Sequence, residues 1–394
     1  MRTPNLTKAA AATLLVAIAV SCSTDRQLTP DLPTSPSFAR GTPKVKSVSV
    51  APSSASIAIG ATVQLTATVS PPSGASLLAW SSSNSAVASV SSTGLVTGVS
   101  AGSATITASA GGVSGTSAIV VTTTPPPSDV VMVGAGDIAS CSSSGDEATA
   151  NLLDNIAGTV YTLGDNVYEN GTATEYTNCY APSWGRHKAR TTPTPGNHEY
   201  NTPDATGYYG YFGAAAGDPA KGYYSYDLGD WHVVVLNSNS SCTTISCAAG
   251  SPQEQWLRAD LAATTKACTL AYWHHPRFNS GASHGNNTDV APLWNALYDF
   301  NADVILNGHE HVYERFAPQT PAGVADATRG IRQFTVGTGG RSHYTFGTIQ
   351  PNSEVREGNT YGVLKLTLRA TGYDWQFVPV SGSTFTDSGT GSCH

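Results

Sequence analysis

Five short polar clusters combine carboxylate, amide, phenol and imidazole side chains, the groups that bind metal ions in proteins. They read GAGD, GDNVY, GNHE, HHP and GHEH along the chain. Carboxylate and amide oxygens favour hard cations, and imidazole suits first-row transition metals. The clusters offer nine candidate side chains: Asp137, Asp165, Tyr168, Asn197, His198, His274, His275, His309 and His311.

This ligand set fits a two-metal hydrolytic centre. Two cations about 3.5–4 Å apart acidify a bound water and clamp the attacking and leaving oxygens of a phosphate ester. One carboxylate is expected to bridge the two ions. A single Asp or Asn at a strand end is usually a turn or cap residue, so the prediction depends on the ordered combination of all five clusters.

The segments that carry these clusters predict an α/β layered architecture. Short β-rich runs such as VVMVGAGD, TVYTLGD, WHVVVLNS, TLAYWHH and DVILNGH alternate with helical patterns in DEATANLLDNIAG, SPQEQWLRADLAA and APLWNALYDF. Ser251 and Glu254 form a capping-box signature at the start of the second helix. In open α/β sheets ligands gather beyond the carboxyl ends of the strands, so we expect the polar clusters to lie there.

Charge and composition divide the chain and exclude one class of function. The formal net charge is -7, and no basic run is present that would neutralise a nucleic-acid backbone, so no nucleic-acid partner is expected. From Ser47 to Ser128 there is no Asp, Glu, Lys or Arg, whereas charged residues return at Asp129. This break predicts a domain boundary, with a catalytic domain over residues 129–394.

The uncharged segment predicts a small all-β sandwich over residues 43–123. Its runs alternate apolar and polar residues and are separated by Gly, Pro, Ser and Asn. WSSSNSAVASVSSTGLVTGVSAGSATITAS resembles a bacterial Ig-like domain of group 2. The resemblance implies a spacer or adhesion module without catalytic residues. A Pro-rich linker over residues 124–128 follows.

The N-terminus has the pattern of an export signal. Arg2 and Lys8 precede an apolar run that is too short to span a bilayer, which predicts a signal peptide over residues 1–22. The end of this segment resembles a bacterial lipoprotein cleavage box, so a lipid on Cys22 is expected to be the only membrane contact. An ordinary secretory peptide is the alternative. Residues 23–42, rich in Pro, Ser and Thr, predict a flexible tether.

The remaining cysteines predict disulfides. Six cysteines are left when Cys22 is set aside, and an even number in an exported chain favours pairing. Cys242 with Cys247, and Cys141 with Cys179, are candidate pairs, although sequence alone does not determine connectivity. A thiolate metal site is disfavoured because no CxxC spacing occurs.

The order of the five clusters resembles the calcineurin-like metallophosphoesterases. The tyrosine of GDNVY and the later FTVGTGGRSHY segment make the chain similar to purple acid phosphatases over about residues 129–380. The resemblance implies a layered β-sandwich flanked by helices. It also implies a first metal, Fe(III), on Asp137, Asp165, Tyr168 and His311, and a second, Zn, Mn or Fe(II), on Asn197, His274 and His309, with Asp165 as the bridge.

Further roles follow from the same resemblance. His198, beside Asn197, is expected to meet the substrate phosphate or protonate the leaving group, and His284 is expected to contact substrate. Either His274 or His275 could be the ligand, and the spacing to the following Pro favours His274. Arg341 fits either a phosphate contact or a solvated surface charge.

The sequence therefore predicts an exported phosphoesterase that hydrolyses small-molecule phosphate monoesters by attack of a metal-activated hydroxide. Phosphodiester or nucleotide hydrolysis on the same site is the enzymatic alternative. A third hypothesis is a cell-surface adhesion protein with a degenerate catalytic domain, which the intact ligand set disfavours.

Overall fold

The computed structural model describes residues 44–123, 129–239 and 241–394. The predicted signal peptide with Cys22, the tether and the Pro-rich linker lie outside the described residues. Within the described ranges, no helix has both the length and the apolar character needed to cross a membrane. The described residues divide into two compact units by their contacts. The first comprises residues 44–55, 62–97 and 103–119, and the second comprises residues 56–61, 98–102, 120–123, 129–239 and 241–394.

The N-terminal segment is all β apart from one short 3₁₀ helix, Pro72–Leu77. Its strands are β1 (Ser47–Ala51), β2 (Ser54–Ala58), β3 (Thr62–Gln64), β4 (Thr66–Ser70), β5 (Ala79–Ser82), β6 (Ala88–Val90), β7 (Leu95–Gly98), β8 (Gly102–Ala110) and β9 (Val113–Thr122). They form sheets ordered β1-β4, β2-β9-β8-β5 and β3-β7-β6. Buried residues alternate along β8 and β9, as the period-two pattern predicts. The expected small sandwich is therefore confirmed.

The second segment contains two large sheets. Its strands are β10 (Val130–Ala135), β11 (Ala139–Ser140), β12 (Thr159–Thr162), β13 (Val167–Tyr168), β14 (Thr191–Thr192), β15 (Tyr224–Leu228), β16 (Trp231–Val235), β17 (Cys268–Tyr272), β18 (Val304–Asn307), β19 (Tyr313–Phe316), β20 (Arg332–Val336), β21 (Ser353–Glu357), β22 (Gly362–Arg369), β23 (Gly372–Pro379) and β24 (Ser388–Ser392). One sheet has the order β14-β12-β10-β22-β23-β24, and the other β15-β16-β17-β18-β20-β19-β21. A two-stranded pair, β11-β13, stands apart.

Five α-helices complete this segment, together with short 3₁₀ and π turns. The helices are α1 (Gly145–Leu153), α2 (Ala173–Glu175), α3 (Thr206–Phe212), α4 (Pro252–Ala263) and α5 (Ala291–Asp299). The 3₁₀ turns span Trp184–Arg190, Glu199–Asn201, Pro203–Ala205 and Gly213–Ala216, and the π turn spans Tyr176–Tyr180. Only half of the predicted capping box forms on α4. The Ser251 hydroxyl accepts from the Glu254 amide, but the Glu254 carboxylate accepts from the amide of Gly250.

Both faces of the seven-stranded sheet are buried, which explains why its central strands are apolar without alternation. Val233 and Leu270 belong to the core that this sheet shares with the six-stranded sheet. Their neighbours Val234 and Ala271 belong to a second core with residues of α4 and α5. The second segment is therefore a layered β-sandwich flanked by helices, which confirms the predicted α/β class.

Three disulfides pair all six cysteines of the described segments. Cys141–Cys179 and Cys242–Cys247 are the two predicted candidate pairs, and Cys268–Cys393 is the third. Because these sulfurs are bonded to each other, they are not thiolate ligands, although Asp303 lies beside Cys268 and Cys393.

Asp303 is a buried carboxyl group that accepts hydrogen bonds from the amides of Thr269 (2.8 Å) and His394 (3.0 Å). Burial raises its pKa from 3.8 to about 7, against the opposing effect of these bonds. Folding therefore favours the protonated form. As the pH rises from about 4 to 7, the unfolded chain releases this proton before the folded chain does, so stability is lost.

We predict that Asp303→Asn, which resembles the protonated side chain, removes this loss. The unfolding free energy of the wild type should fall relative to the variant between about pH 4 and 7, by an amount on the order of 2–4 kcal/mol. Denaturant titrations at several pH values measure the difference. Asp218→Asn, at an exposed carboxylate, is the matched control, and equal pH dependence in the two variants would contradict the prediction.

Candidate metal centre

The predicted ligands follow the carboxyl ends of neighbouring parallel strands. Asp137 follows β10 and Asp165 follows β12, which pair in parallel. His274 follows β17 and His309 follows β18, a second parallel pair. Asn197 lies in the loop after β14, which is parallel to β12. The loops of both sheets therefore meet at one edge of the sandwich, where the rule for α/β sheets locates ligands.

Unusual backbone conformations turn these side chains toward one another. Asp137, Asp165 and His309 have φ values of 59°, 48° and 70°, in the left-handed region that non-glycine residues seldom adopt. Gly196 allows its loop to approach Asp165, since a Cβ atom on this glycine would lie 2.2 Å from the Asp165 carboxylate. Such local strain is typical of functional sites.

The first group of ligand side chains surrounds the Tyr168 hydroxyl. This oxygen lies 2.9 Å from Asp137 Oδ1, 3.0 Å from Asp165 Oδ2 and 3.1 Å from His311 Nε2. Asp137 and Asp165 are 0% and 2% exposed. A phenol has one proton to donate, so it cannot satisfy both carboxylates. A cation among these atoms would compensate the remaining charge.

The second group surrounds His274 Nε2. This nitrogen lies 3.3 Å from Asp165 Oδ2, 3.1 Å from Asn197 Oδ1 and 3.2 Å from His309 Nδ1. The same oxygen, Asp165 Oδ2, therefore faces both groups. Asp137, Asp165 and His274 offer ligand atoms within 4.8 Å of one another. The donor set fits two cations that share Asp165.

Two outer contacts orient the imidazole rings. His274 Nδ1 lies 2.7 Å from the carbonyl oxygen of Leu163, and His311 Nδ1 lies 2.7 Å from Ser342 Oγ. In each ring the Nε2 atom is left to face the carboxylates. Second contacts of this kind fix the tautomer and orientation of metal-binding histidines.

The charges at the centre interact strongly. Burial alone would lower the pKa of His274, but the charge and hydrogen bond of Asp165 raise it to about 9. Burial would raise the pKa of Asp165, and the charge of His274 lowers it well below its usual range. Burial, followed by the charges of Asp137 and Asp165, raises the pKa of Tyr168 well above its ordinary value. Asp165 and His274 therefore each favour the charged form of the other.

The neighbouring His275 has a different environment. Its Nδ1 lies 2.8 Å from Ser238 Oγ, and burial followed by the charge of His274 lowers its pKa well below the ordinary value. It also offers a ring nitrogen within 4.8 Å of those of His274 and His309. His274 alone of the two faces Asp165, and its assignment as the ligand stays a prediction.

The two predicted catalytic histidines lie at the rim. His198 Nδ1 is 2.6 Å from the carbonyl oxygen of Glu169, and its Nε2 is 3.8 Å from Asp165 Oδ2. His284 Nδ1 is 3.1 Å from Glu310, and its ring centroid is 4.0 Å from that of His309. Both side chains are partly exposed, which is compatible with contact to a substrate.

Two buried carboxylates that the sequence reasoning missed position the ligand loops. Glu199 accepts from the amides of Gly196 (2.6 Å), Asp165 (3.0 Å) and Asn166 (2.8 Å). Glu310 accepts from the amides of Ser283 (3.0 Å) and His284 (3.1 Å). Both are fully buried. Their positions inside GNHE and GHEH, next to histidines, were the only sequence signal.

Comparison with known proteins agrees with this architecture. Residues 128–313 match the family "Calcineurin-like phosphoesterase", and residues 44–121 match "Bacterial Ig-like domain (group 2)". Purple acid phosphatase 15 of Arabidopsis thaliana is 25% identical over 205 residues, which cover 43% of this chain and 38% of that protein. The match thus covers well under half of the length of that relative.

Solved structures share the fold. Purple acid phosphatase PPD1 from yellow lupin superposes with a TM-score of 0.55 and 16% identity, over 88% of this chain and 69% of that chain. GAP50, described as the anchor in the inner membrane complex of Plasmodium, gives a TM-score of 0.51 and 14% identity, over 66% and 88% of the two chains.

Fold and donor set together define the second segment as a metallophosphoesterase domain. Residues 128–313 carry the calcineurin-like phosphoesterase match, residues 44–121 before them carry the bacterial Ig-like match, and purple acid phosphatases are among the similar proteins.

We predict that Glu199→Gln destabilises the centre. The substitution replaces one carboxylate oxygen with an NH2 group, which cannot accept the backbone hydrogen bonds that this oxygen accepts. The expected loss of unfolding free energy is about 2–3 kcal/mol, with a lower metal content. Denaturant unfolding and elemental analysis measure both. Glu147→Gln, at an exposed ion pair with Arg186, should change stability by less than about 1 kcal/mol. Equal effects of the two substitutions would contradict the role of Glu199.

Proposed function

We propose that this protein is an exported binuclear metallohydrolase that hydrolyses phosphate monoesters. One observation carries the proposal. Asp165 Oδ2 lies 3.0 Å from the Tyr168 hydroxyl and 3.3 Å from His274 Nε2, so a single carboxylate oxygen faces two separate groups of ligand atoms. A bridging carboxylate between two ions needs this arrangement.

The proposed first site consists of Asp137, Asp165, Tyr168 and His311, and the second of Asp165, Asn197, His274 and His309. We propose Fe(III) in the first site, with Tyr168 as a tyrosinate, and Zn, Mn or Fe(II) in the second. When bound, such ions supply an acidified water and neutralise charge on the phosphate. The phenol and carboxylates of the first site suit a hard trivalent cation, and the imidazoles of the second suit a divalent one.

The protein groups at the rim would handle substrate and protons. The contact between His198 Nδ1 and the Glu169 carbonyl oxygen fixes the ring so that Nε2 faces the centre. From this position His198 can donate a proton to the leaving oxygen. His284 contacts Glu310 and lies against His309, and it would contact the phosphate from the side of the proposed second site.

Export and the division of labour between the two segments are also proposals. Three disulfides support an oxidising location, in keeping with a secreted protein or an envelope lipoprotein anchored at Cys22. We propose that residues 129–394 form the catalytic domain and that the Ig-like domain over residues 43–123 is a spacer.

We predict that Asp165→Ala abolishes activity and lowers the content of both metals, since the substitution removes the shared ligand. Elemental analysis with monoester and diester substrates measures metal content and reaction class together. Asp374→Asn, at a partly exposed carboxylate paired with Arg369, is the control. Retained turnover with two bound metals would refute the bridging assignment, and faster diester than monoester hydrolysis would favour the phosphodiesterase alternative.

We predict that Tyr168→Phe removes the visible charge-transfer colour of the iron-loaded protein, because only Tyr168 is proposed to supply a phenolate ligand. Absorption spectroscopy of wild type and variant measures it. Tyr344→Phe is the control, since the Tyr344 ring stacks on His311 at 4.0 Å and is not a proposed ligand. A wild type that binds iron without colour would contradict the assignment of Tyr168.

A further inference from the structure

Arg341 lies beside the proposed first site on a loop tied to one of the ligands. The amide of Arg341 donates to the carbonyl oxygen of Asp137 (3.0 Å), and the amide of Gly339 donates to that of Gly136 (2.9 Å). The Arg341 guanidinium carbon lies 5.1 Å from the centroid of the Tyr168 ring. A cation is thus held against a proposed metal ligand in a protein with a net charge of -7.

The guanidinium group has more donors than its protein partner can use. Nη2 donates to Glu169 Oε1 at 2.5 Å, whereas the buried Nε has no hydrogen-bond partner among the described residues. An arginine has five N–H donors in a planar fork. The Glu169 side chain is 56% exposed, and ion pairs this exposed are weak and exchangeable.

Arg341 and His198 lie beside the same tyrosine. The His198 ring centroid is 4.3 Å from that of Tyr168, and His198 Nδ1 contacts the carbonyl oxygen of Glu169, whose carboxylate binds Arg341. Both side chains are 26% exposed. The guanidinium lies over the Tyr168 ring, whereas the Tyr168 hydroxyl contacts the carboxylates of Asp137 and Asp165.

We propose that Arg341 is a specificity residue that binds a second anionic group on the substrate, a carboxylate or another phosphate near the scissile phosphate. This inference rests on the proposed phosphoesterase function. Charge-assisted, bidentate hydrogen bonds are the usual way in which arginine recognises such groups. Glu169 occupies the guanidinium in the free protein, and the anionic group of the substrate takes its place.

Binding of non-hydrolysable phosphonates to the metal-loaded full chain tests the proposal without turnover. The probes are 3-hydroxypropylphosphonate, 3-phosphonopropionate and propane-1,3-bisphosphonate, which carry a hydroxyl, a carboxylate and a second phosphonate respectively. In calorimetric titrations the wild type should bind at least one of the two doubly anionic probes about tenfold more tightly than the hydroxyl probe. The doubly anionic probe that binds more tightly identifies whether a carboxylate or a second phosphate group is preferred.

Three variants separate charge recognition from structural effects. Arg341→Gln should remove the preference for the doubly anionic probes, and Glu169→Gln should increase it because a competing carboxylate is lost. Arg329→Gln is the matched control. Its guanidinium also lies over a tyrosine ring, that of Tyr298, at 4.9 Å. It contacts Asn301, which precedes β18, whereas the proposed metal centre follows the other end of that strand.

Either of two results would overturn the inference: a preference that survives in Arg341→Gln, or an equal loss of affinity for all three probes. Hydrolysis of two phosphate monoesters, phenyl phosphate and 3-phosphoglycerate, which carries a second anionic group, tests the proposed function separately. If turnover occurs without any preference among the probes, only the role of Arg341 is refuted. If an Arg341-dependent preference exists without turnover, the anion site is supported and the proposed hydrolytic function is refuted.

Discussion

Buried negative charge that the protein compensates only in part is the constraint on which this site depends. Asp137 and Asp165 are almost completely buried within 3 Å of one phenol oxygen. Burying carboxylates is costly unless they are paired or coordinate metal ions. The imidazole of His274 and the amides of His198 and His309 provide partial compensation. The surrounding loops hold the ligand atoms close enough for cations to complete it.

The scaffold keeps this costly arrangement in place. Each ligand-bearing loop follows a strand buried in the sandwich, so the loop ends are fixed by the cores on both faces of the sheets. Glu199 then joins the Asp165 and Asn197 loops through their backbone amides, and Glu310 joins the His284 loop to the GHEH turn. Side chains without direct contact to the reacting groups therefore determine how accurately the ligands converge.

Much of this could be predicted from sequence, because the informative signals are local. The apolar runs of β10, β12, β17 and β18 end in polar clusters that meet in the structure, and alternation predicted the Ig-like sandwich. Pairing of Cys268 with Cys393 could not be predicted, since it depends on which strands of the two sheets become neighbours. The roles of Glu199 and Glu310 could not be predicted either, because the sequence around a glutamate does not show which backbone amides will donate hydrogen bonds to it in the folded chain. The Glu254 carboxylate bonds one residue earlier than the capping-box pattern specifies, since Gly250 offers a competing donor.

The Cys268–Cys393 disulfide stabilises the fold at a position away from the proposed reaction centre. It fastens the first residue of β17 to the residue after β24, and so links the two sheets, whereas His274 follows the other end of β17. The five residues of this strand span about 15 Å, so the bridge and the proposed reaction centre lie at opposite ends of the same strand. Loss of this bridge alone, as in the double variant Cys268→Ser with Cys393→Ser, would consequently shorten the lifetime of the folded protein at high temperature while leaving the proposed reaction centre nearly intact.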